Sequence, residues 1–195
     1  AIEEGVPQVL IMTGDPIFSD RTESPVQLGL VPTYMQEGGA FGEALVAGGQ
    51  PHKVAVLYQN DDYGLGYVKG FKDAIAGADQ IEIVKELSYE PSAGTLEGQI
   101  TELAATGADV LFHAVSVTPL AIEDLQKAQA LGWTPIWFLP SNTASPGGIL
   151  TPAGVTGDTY PGVYAAGFAQ AAAAPPFAES PEGKAYFFEN AEYTE

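Results

Sequence analysis

Lys53-Val-Ala-Val-Leu-Tyr58, running through Gln59-Asn-Asp-Asp-Tyr63 into Gly64-Leu-Gly66-Tyr-Val-Lys-Gly70, is the stretch on which the fold of this chain turns. Four consecutive apolar residues inside a short run are too few for a core helix. They fit a strand covered on both faces, as in a parallel sheet. The polar turn from Gln59 to Gly64 stops that strand, and beyond it Tyr67, Val68, Phe71 and Ile75 share one helical face while Lys69, Lys72 and Asp73 point elsewhere.

The alternation continues toward the C-terminus. Ile81–Leu87 reads as a second strand, more alternating and so nearer an edge, and Leu96, Ile100, Leu103 and Ala104 repeat the helical spacing. Asp109–Ala114 is a third strand. Thr118-Pro119 predicts an N-cap and a first helical residue, Ala121, Leu125 and Ala128 a buried stripe, and Gly132 a stop before the fourth strand, Pro135–Leu139. Strands joined by helical crossovers lie parallel in one sheet, with right-handed connections and helices on both faces. The fold class is therefore α/β, a doubly wound parallel sheet of the Rossmann or flavodoxin kind. Ligands of such sheets bind outside the carboxyl ends of the strands, which singles out Gln59–Tyr63, Tyr89–Ser92, Val115–Thr118 and Ser141–Ser145.

Outside this core, Val6–Met12 predicts a further strand ending at Thr13-Gly14-Asp15-Pro16, and Tyr34–Val46 a helix. A lone strand needs a sheet, which places residues 1–30 in the incomplete end of a first lobe or, alternatively, at an edge of the main sheet. Residues 31–165 form the second lobe. Residues 166–195, with the Ala171–Pro176 break and a helix expected from Ser180-Pro181 through Phe188, read as a truncated return toward the first lobe.

Asp and Glu number 25 against 7 Lys and Arg, a net charge of −18, so the surface repels phosphate backbones and nucleic acid is excluded as a partner. The acidity itself reads as a solvated surface. No apolar run approaches the roughly 20 residues that cross a bilayer, and no direct membrane insertion is expected. The absence of cysteine and the separation of His52 from His113 argue against metal chemistry, and no cofactor is expected. The opening Ala1-Ile-Glu-Glu4 has no leader-like character, so any signal peptide is expected to have been removed or to lie outside this sequence.

Gly64, Gly66 and Gly70 follow a strand and open a helix, as a dinucleotide site requires, but the third glycine falls one position too far on and Asp61-Asp62 would face the pyrophosphate. Tight turning and close helix packing explain these glycines better. Asp61-Asp62 reads as a turn or N-cap pair, and His113, inside an apolar strand, as a core histidine. No nucleophile elbow or phosphate loop occurs, and an enzyme is not expected. Tyr63, at the mouth of the first strand, offers an apolar face and a hydroxyl to a small ligand; packing on its own helix is the alternative. Ser116, Thr118, Ser141, Asn142, Thr143 and Ser145 place neutral hydrogen-bonding groups at strand ends, where they serve a carboxylate or amide, or simply cap and turn.

Val54-Ala-Val-Leu-Tyr-Gln-Asn-Asp-Asp-Tyr-Gly-Leu-Gly66 continuing to Phe71, then Gly107-Ala-Asp-Val-Leu-Phe112, Ala128-Gln-Ala-Leu-Gly-Trp133 and Thr151-Pro-Ala-Gly154, occur in the order seen in one family. Over most of residues 6–165 the chain resembles the type I periplasmic solute-binding proteins of the branched-chain amino acid ABC transporter family. That resemblance implies two lobes closing on a small carboxylate or amino acid, delivery to a membrane permease, and a periplasmic or lipid-anchored extracytoplasmic location, without catalysis. It also implies that the Thr13-Gly14 turn meets a ligand carboxylate, that Tyr63 covers the ligand, and that Ser116-Val117 lines the opposite wall. Amino-acid binders of the family carry an acid after the fourth strand of this lobe, whereas Pro140-Ser141-Asn142 has none, which puts carboxylates ahead of amino acids here. The competing reading is an α/β enzyme holding a dinucleotide at Gly64-Gly66-Gly70.

Overall fold

The computed structural model describes residues 3–167. Its strands are β1 (Gln8–Ile11), β2 (Gln27–Gly29), β3 (His52–Gln59), β4 (Ile81–Tyr89), β5 (Val110–Ala114), β6 (Ile136–Leu139) and β7 (Val163–Ala165). The helices are α1 (Tyr34–Gly48), α2 (Asp62–Ile75), α3 (Glu97–Ala104) and α4 (Thr118–Ala130). The main sheet has the order β4-β3-β5-β6-β7, with every pair parallel. The chain steps outward from β3 to β4, then returns past β3 to add β5, β6 and β7. This is the flavodoxin-like order, and its reversal lies between β3 and β5, where a crevice opens at the carboxyl ends.

Both sheet faces are covered, and the two-residue side-chain period sorts each strand accordingly. Ala55, Leu57, Leu111, Trp137 and Leu139 pack against Leu96 at the N-cap of α3, Ile100 and Leu103 within it, and Leu120, Leu125 and Ala128 of α4. Val54, Val56, Val110, Phe112 and Phe138 pack against Phe41 and Leu45 of α1 and Tyr67, Val68 and Phe71 of α2. Burying such side chains fully is worth about 1.5–3 kcal/mol each, which outweighs the weak intrinsic helix preference of the glycine-rich α1 and α2.

Those glycines set how closely the two helices approach. A Cβ at Gly38 would fall on the Tyr67 carbonyl, one at Gly42 on Ala74, and one at Gly70 on the Met35 carbonyl. Gly64, likewise, has no room for a side chain beside Gln59. Thr33 caps α1 in a reciprocal box with Gln36, and Gly49 closes the helix at φ 66°. α4 differs from its expected start: Val117 is the N-cap, without a side-chain bond, and Thr118-Pro119 already lie inside the helix.

β1 does not join the main sheet. It pairs in parallel with β2 alone, in a separate two-stranded sheet whose Val9 and Leu10 side chains stay exposed. β7 was not foreseen, because three residues at a sheet edge carry no readable period. The helix expected after Ser180 lies outside the described residues.

Candidate functional site

Gln59, the last residue of β3, ties the strand ends together across the reversal. Its carbonyl oxygen accepts from the Tyr89 hydroxyl at 2.7 Å and the Ser116 hydroxyl at 2.6 Å, while its amide donates to Asp61 at 2.5 Å. The ends of β4 and β5 are thus fixed to β3 by one side chain, itself buried. Burial pushes the Tyr89 phenol up to about 12, so its proton stays in place. Asp61 caps α2 by accepting from the Gly64 N–H at 3.2 Å, as expected of that pair.

Above this floor stand three tyrosines. Tyr34 opens α1, Tyr63 and Tyr67 lie on the first turns of α2, and their ring centroids are 4.9–5.5 Å apart. The Tyr63 hydroxyl donates to Asn142 Oδ1 at 3.0 Å, across to the loop after β6. Burial first, and the nearby Glu37 carboxylate second, raise the Tyr63 phenol, so it remains a donor. From the other side the turn after β1 reaches over: the Tyr34 N–H donates to the Gly14 carbonyl at 2.9 Å and its hydroxyl meets Thr13 Oγ1 at 2.8 Å.

Together these groups enclose a cleft of about 590 Å³ lined by Thr13, Gly14, Tyr63, Ser116, Ser141 and Asn142, among others. Six of the ten site residues named from the sequence therefore share one hollow; Thr118 instead opens α4, Thr143 donates to the Val115 carbonyl and Ser145 accepts from the Gly148 N–H. Val117 lies outside it too: at the N-cap of α4 it packs against the core on the α3/α4 face. The turn after Val115 exposes only alternate side chains to the cleft, and Ser116 takes that position.

Sequence reasoning missed Tyr34, Tyr67 and above all Glu37. Glu37 is only 6% exposed, and its two oxygens accept from the Ser141 N–H at 2.6 Å and the Ser141 hydroxyl at 3.1 Å. The segment after β6 has no acid of its own, but the fold brings one to it from α1. A signal existed, because Glu37 belongs to the same buried stripe as Gly38, Phe41, Gly42 and Leu45, where a charge interrupts an otherwise apolar face.

The remaining titratable pairs lie elsewhere. His113 Nε2 and Asp124 Oδ2 meet at 2.8 Å in the core beneath Trp137, where burial raises the Asp124 carboxyl against the lowering effect of the histidine. His52 and Asp109 pair at 2.7 Å beside the opening residues of β3. Among the described residues no group of three or more His, Asp or Glu is arranged to hold a metal ion. Nor is any described helix long and apolar enough to cross a membrane.

Residues 6–194 match the model of the periplasmic binding protein family. The chain belongs to that family. Its fold is similar to a substrate-binding periplasmic protein from Ralstonia solanacearum, 24% identical with a TM-score of 0.61 over 73% of this chain and 38% of that one. A solute-binding protein of an R. palustris ABC transporter, in complex with benzoate, is 19% identical with a TM-score of 0.76 over 99% of this chain and 50% of that one. A branched-chain amino acid ABC transporter protein from Thermus thermophilus with bound valine is 17% identical with a TM-score of 0.74, covering 98% and 47%. At these identities the likeness is one of fold, and this chain spans half or less of each of those chains. A search of curated proteins finds no match.

Proposed function

We propose that the chain is the solute-binding component of an ABC importer, taking a small carboxylate or amino acid into the cleft between the β1 turn and the main-sheet strand ends. The observation that carries this is the cleft itself. A hollow of about 590 Å³ sits at the strand-order reversal, walled by three tyrosines and a few convergent polar groups from both sheets. Its size and mixed lining suit a small organic ligand. Closure of a first lobe carrying Thr13 and Gly14 onto the main-sheet lobe would complete the enclosure, and the loaded protein would then hand its solute to a membrane permease in the periplasm or, in a Gram-positive source, at the outer surface.

No chemistry is assigned to the site. Gly64 and Gly70 are occupied in packing against Gln59 and Met35, and the Asp61 carboxylate already caps the α2 N-terminus that a pyrophosphate would need. A thermal-shift panel of amino acids, benzoate-like acids, short aliphatic acids and NAD tests the reading. A ligand at one hundred times its Kd stabilises by about 2.7 kcal/mol, or roughly 5–10 °C for a chain of this size. Stabilisation by NAD alone would reverse the assignment in favour of the dinucleotide-binding enzyme.

A further inference from the structure

The charge on the cleft wall bears on the kind of solute it takes, a deeper step that rests on the solute-binding reading above. Glu37 lines the cleft, and its carboxylate meets only neutral donors, the Ser141 N–H and hydroxyl and the neighbouring Tyr67 hydroxyl. An ionised carboxylate offers about four lone-pair positions, so acceptor capacity is left over. None of the ion pairs among the described residues includes Glu37. Asp61 is a second acid on the same wall, and among the described residues no Lys, Arg or His lines the cleft. The wall therefore carries two carboxylates and no compensating cation.

Three of the cleft's hydroxyl donors are also taken. The Ser116 hydroxyl proton goes to Gln59, that of Ser141 to Glu37, and that of Tyr63 to Asn142. A bare carboxylate entering this site would meet like charge with few free donors, whereas a cation would meet an acid and the faces of Tyr34, Tyr63 and Tyr67. We propose that Glu37 is the counter-charge for a protonated nitrogen on the ligand, so that the cleft selects amines and amino acids over bare carboxylates.

Two matched trios test this by calorimetry on the whole chain: leucine, 3-methylbutylamine and 4-methylpentanoate; phenylalanine, phenethylamine and 3-phenylpropanoate. The nitrogen-bearing members are expected to bind and the bare acids to bind at least about tenfold more weakly. Glu37→Gln keeps an oxygen for Ser141 and should melt close to the parent, yet weaken the nitrogen-bearing ligands by about thirtyfold or more. Tighter binding of either bare acid than of its amine would overturn the proposal and leave the solute-binding reading standing, whether or not the variant folds. An unchanged affinity in folded Glu37→Gln would overturn it too. Silence from both trios and from the wider panel would overturn the solute-binding reading along with it.

Discussion

Replacing Gly38 with alanine tests whether the approach of α1 to α2 is set by the lack of a side chain. Helix propensity alone favours the change by about 1 kcal/mol. The structure opposes it: a Cβ at Gly38 would lie 2.9 Å from the Tyr67 carbonyl carbon, and nearer still to its oxygen. Backbone cannot rotate out of the way, so restoring ordinary 3.4 Å contact means moving α2 outward by about 1 Å, with the loss of dispersion contacts along the whole seam. Overpacking of this kind costs about 1–3 kcal/mol, at the upper end where the neighbour is rigid, which leaves a net destabilisation of about 2 kcal/mol. Gly48 is the control, on the same helix with nothing within 4 Å of its Cβ position. Gly48→Ala should leave stability unchanged or raise it by up to about 1 kcal/mol. Urea unfolding followed by far-UV circular dichroism measures both, and a Gly38→Ala midpoint equal to or above that of the parent would refute the packing argument. Because Glu37 and Tyr67 flank this contact, the variant should disturb the cleft as well.

Thr33→Ala removes the cap that accepts from the Gln36 N–H at 3.2 Å, and urea unfolding should show a loss of about 1 kcal/mol that Thr33→Ser largely restores. Burial chiefly raises the Tyr89 phenol from the ordinary tyrosine value of 10.0 to about 12 in the fold. The folded chain therefore holds that proton more tightly than the unfolded one, and the contribution is full below pH 10 and fades as pH rises toward about 12. Stability of the parent measured across that window should fall more steeply than that of Tyr89→Phe; parallel curves would contradict the assignment.

Much of the fold was legible because its signals are local. A parallel strand buried on both faces must be apolar at consecutive positions, as Val54–Leu57 and Val110–Phe112 are, and a covering helix must show its 3.6-residue stripe, as α2 and α4 do. Strand ends then indicate where a ligand can lie, which is why Tyr63, Ser116 and Ser141 emerge from pattern alone. Val117 shows the resolution of that reasoning, since a loop's pattern names a segment but not which side chain faces inward. β7 and the pairing of β1 with β2 left no trace because strands of three or four residues, exposed on one side, satisfy no period.

Glu37 marks the deeper boundary. The sequence by itself determined the strand and helix order from β3 to β6, the Asp61 cap, the close-packed Gly64 and Gly70 and the strand-end segments, because each is dictated by backbone geometry within a few residues. It did not determine the charge of the cleft. That depends on α1 and the loop after β6, 104 residues apart, meeting through Glu37 and Ser141. Only packing across the sheet edge brings such groups within hydrogen-bonding range, and no local propensity encodes a contact whose favourable energy exists only once both partners have left water.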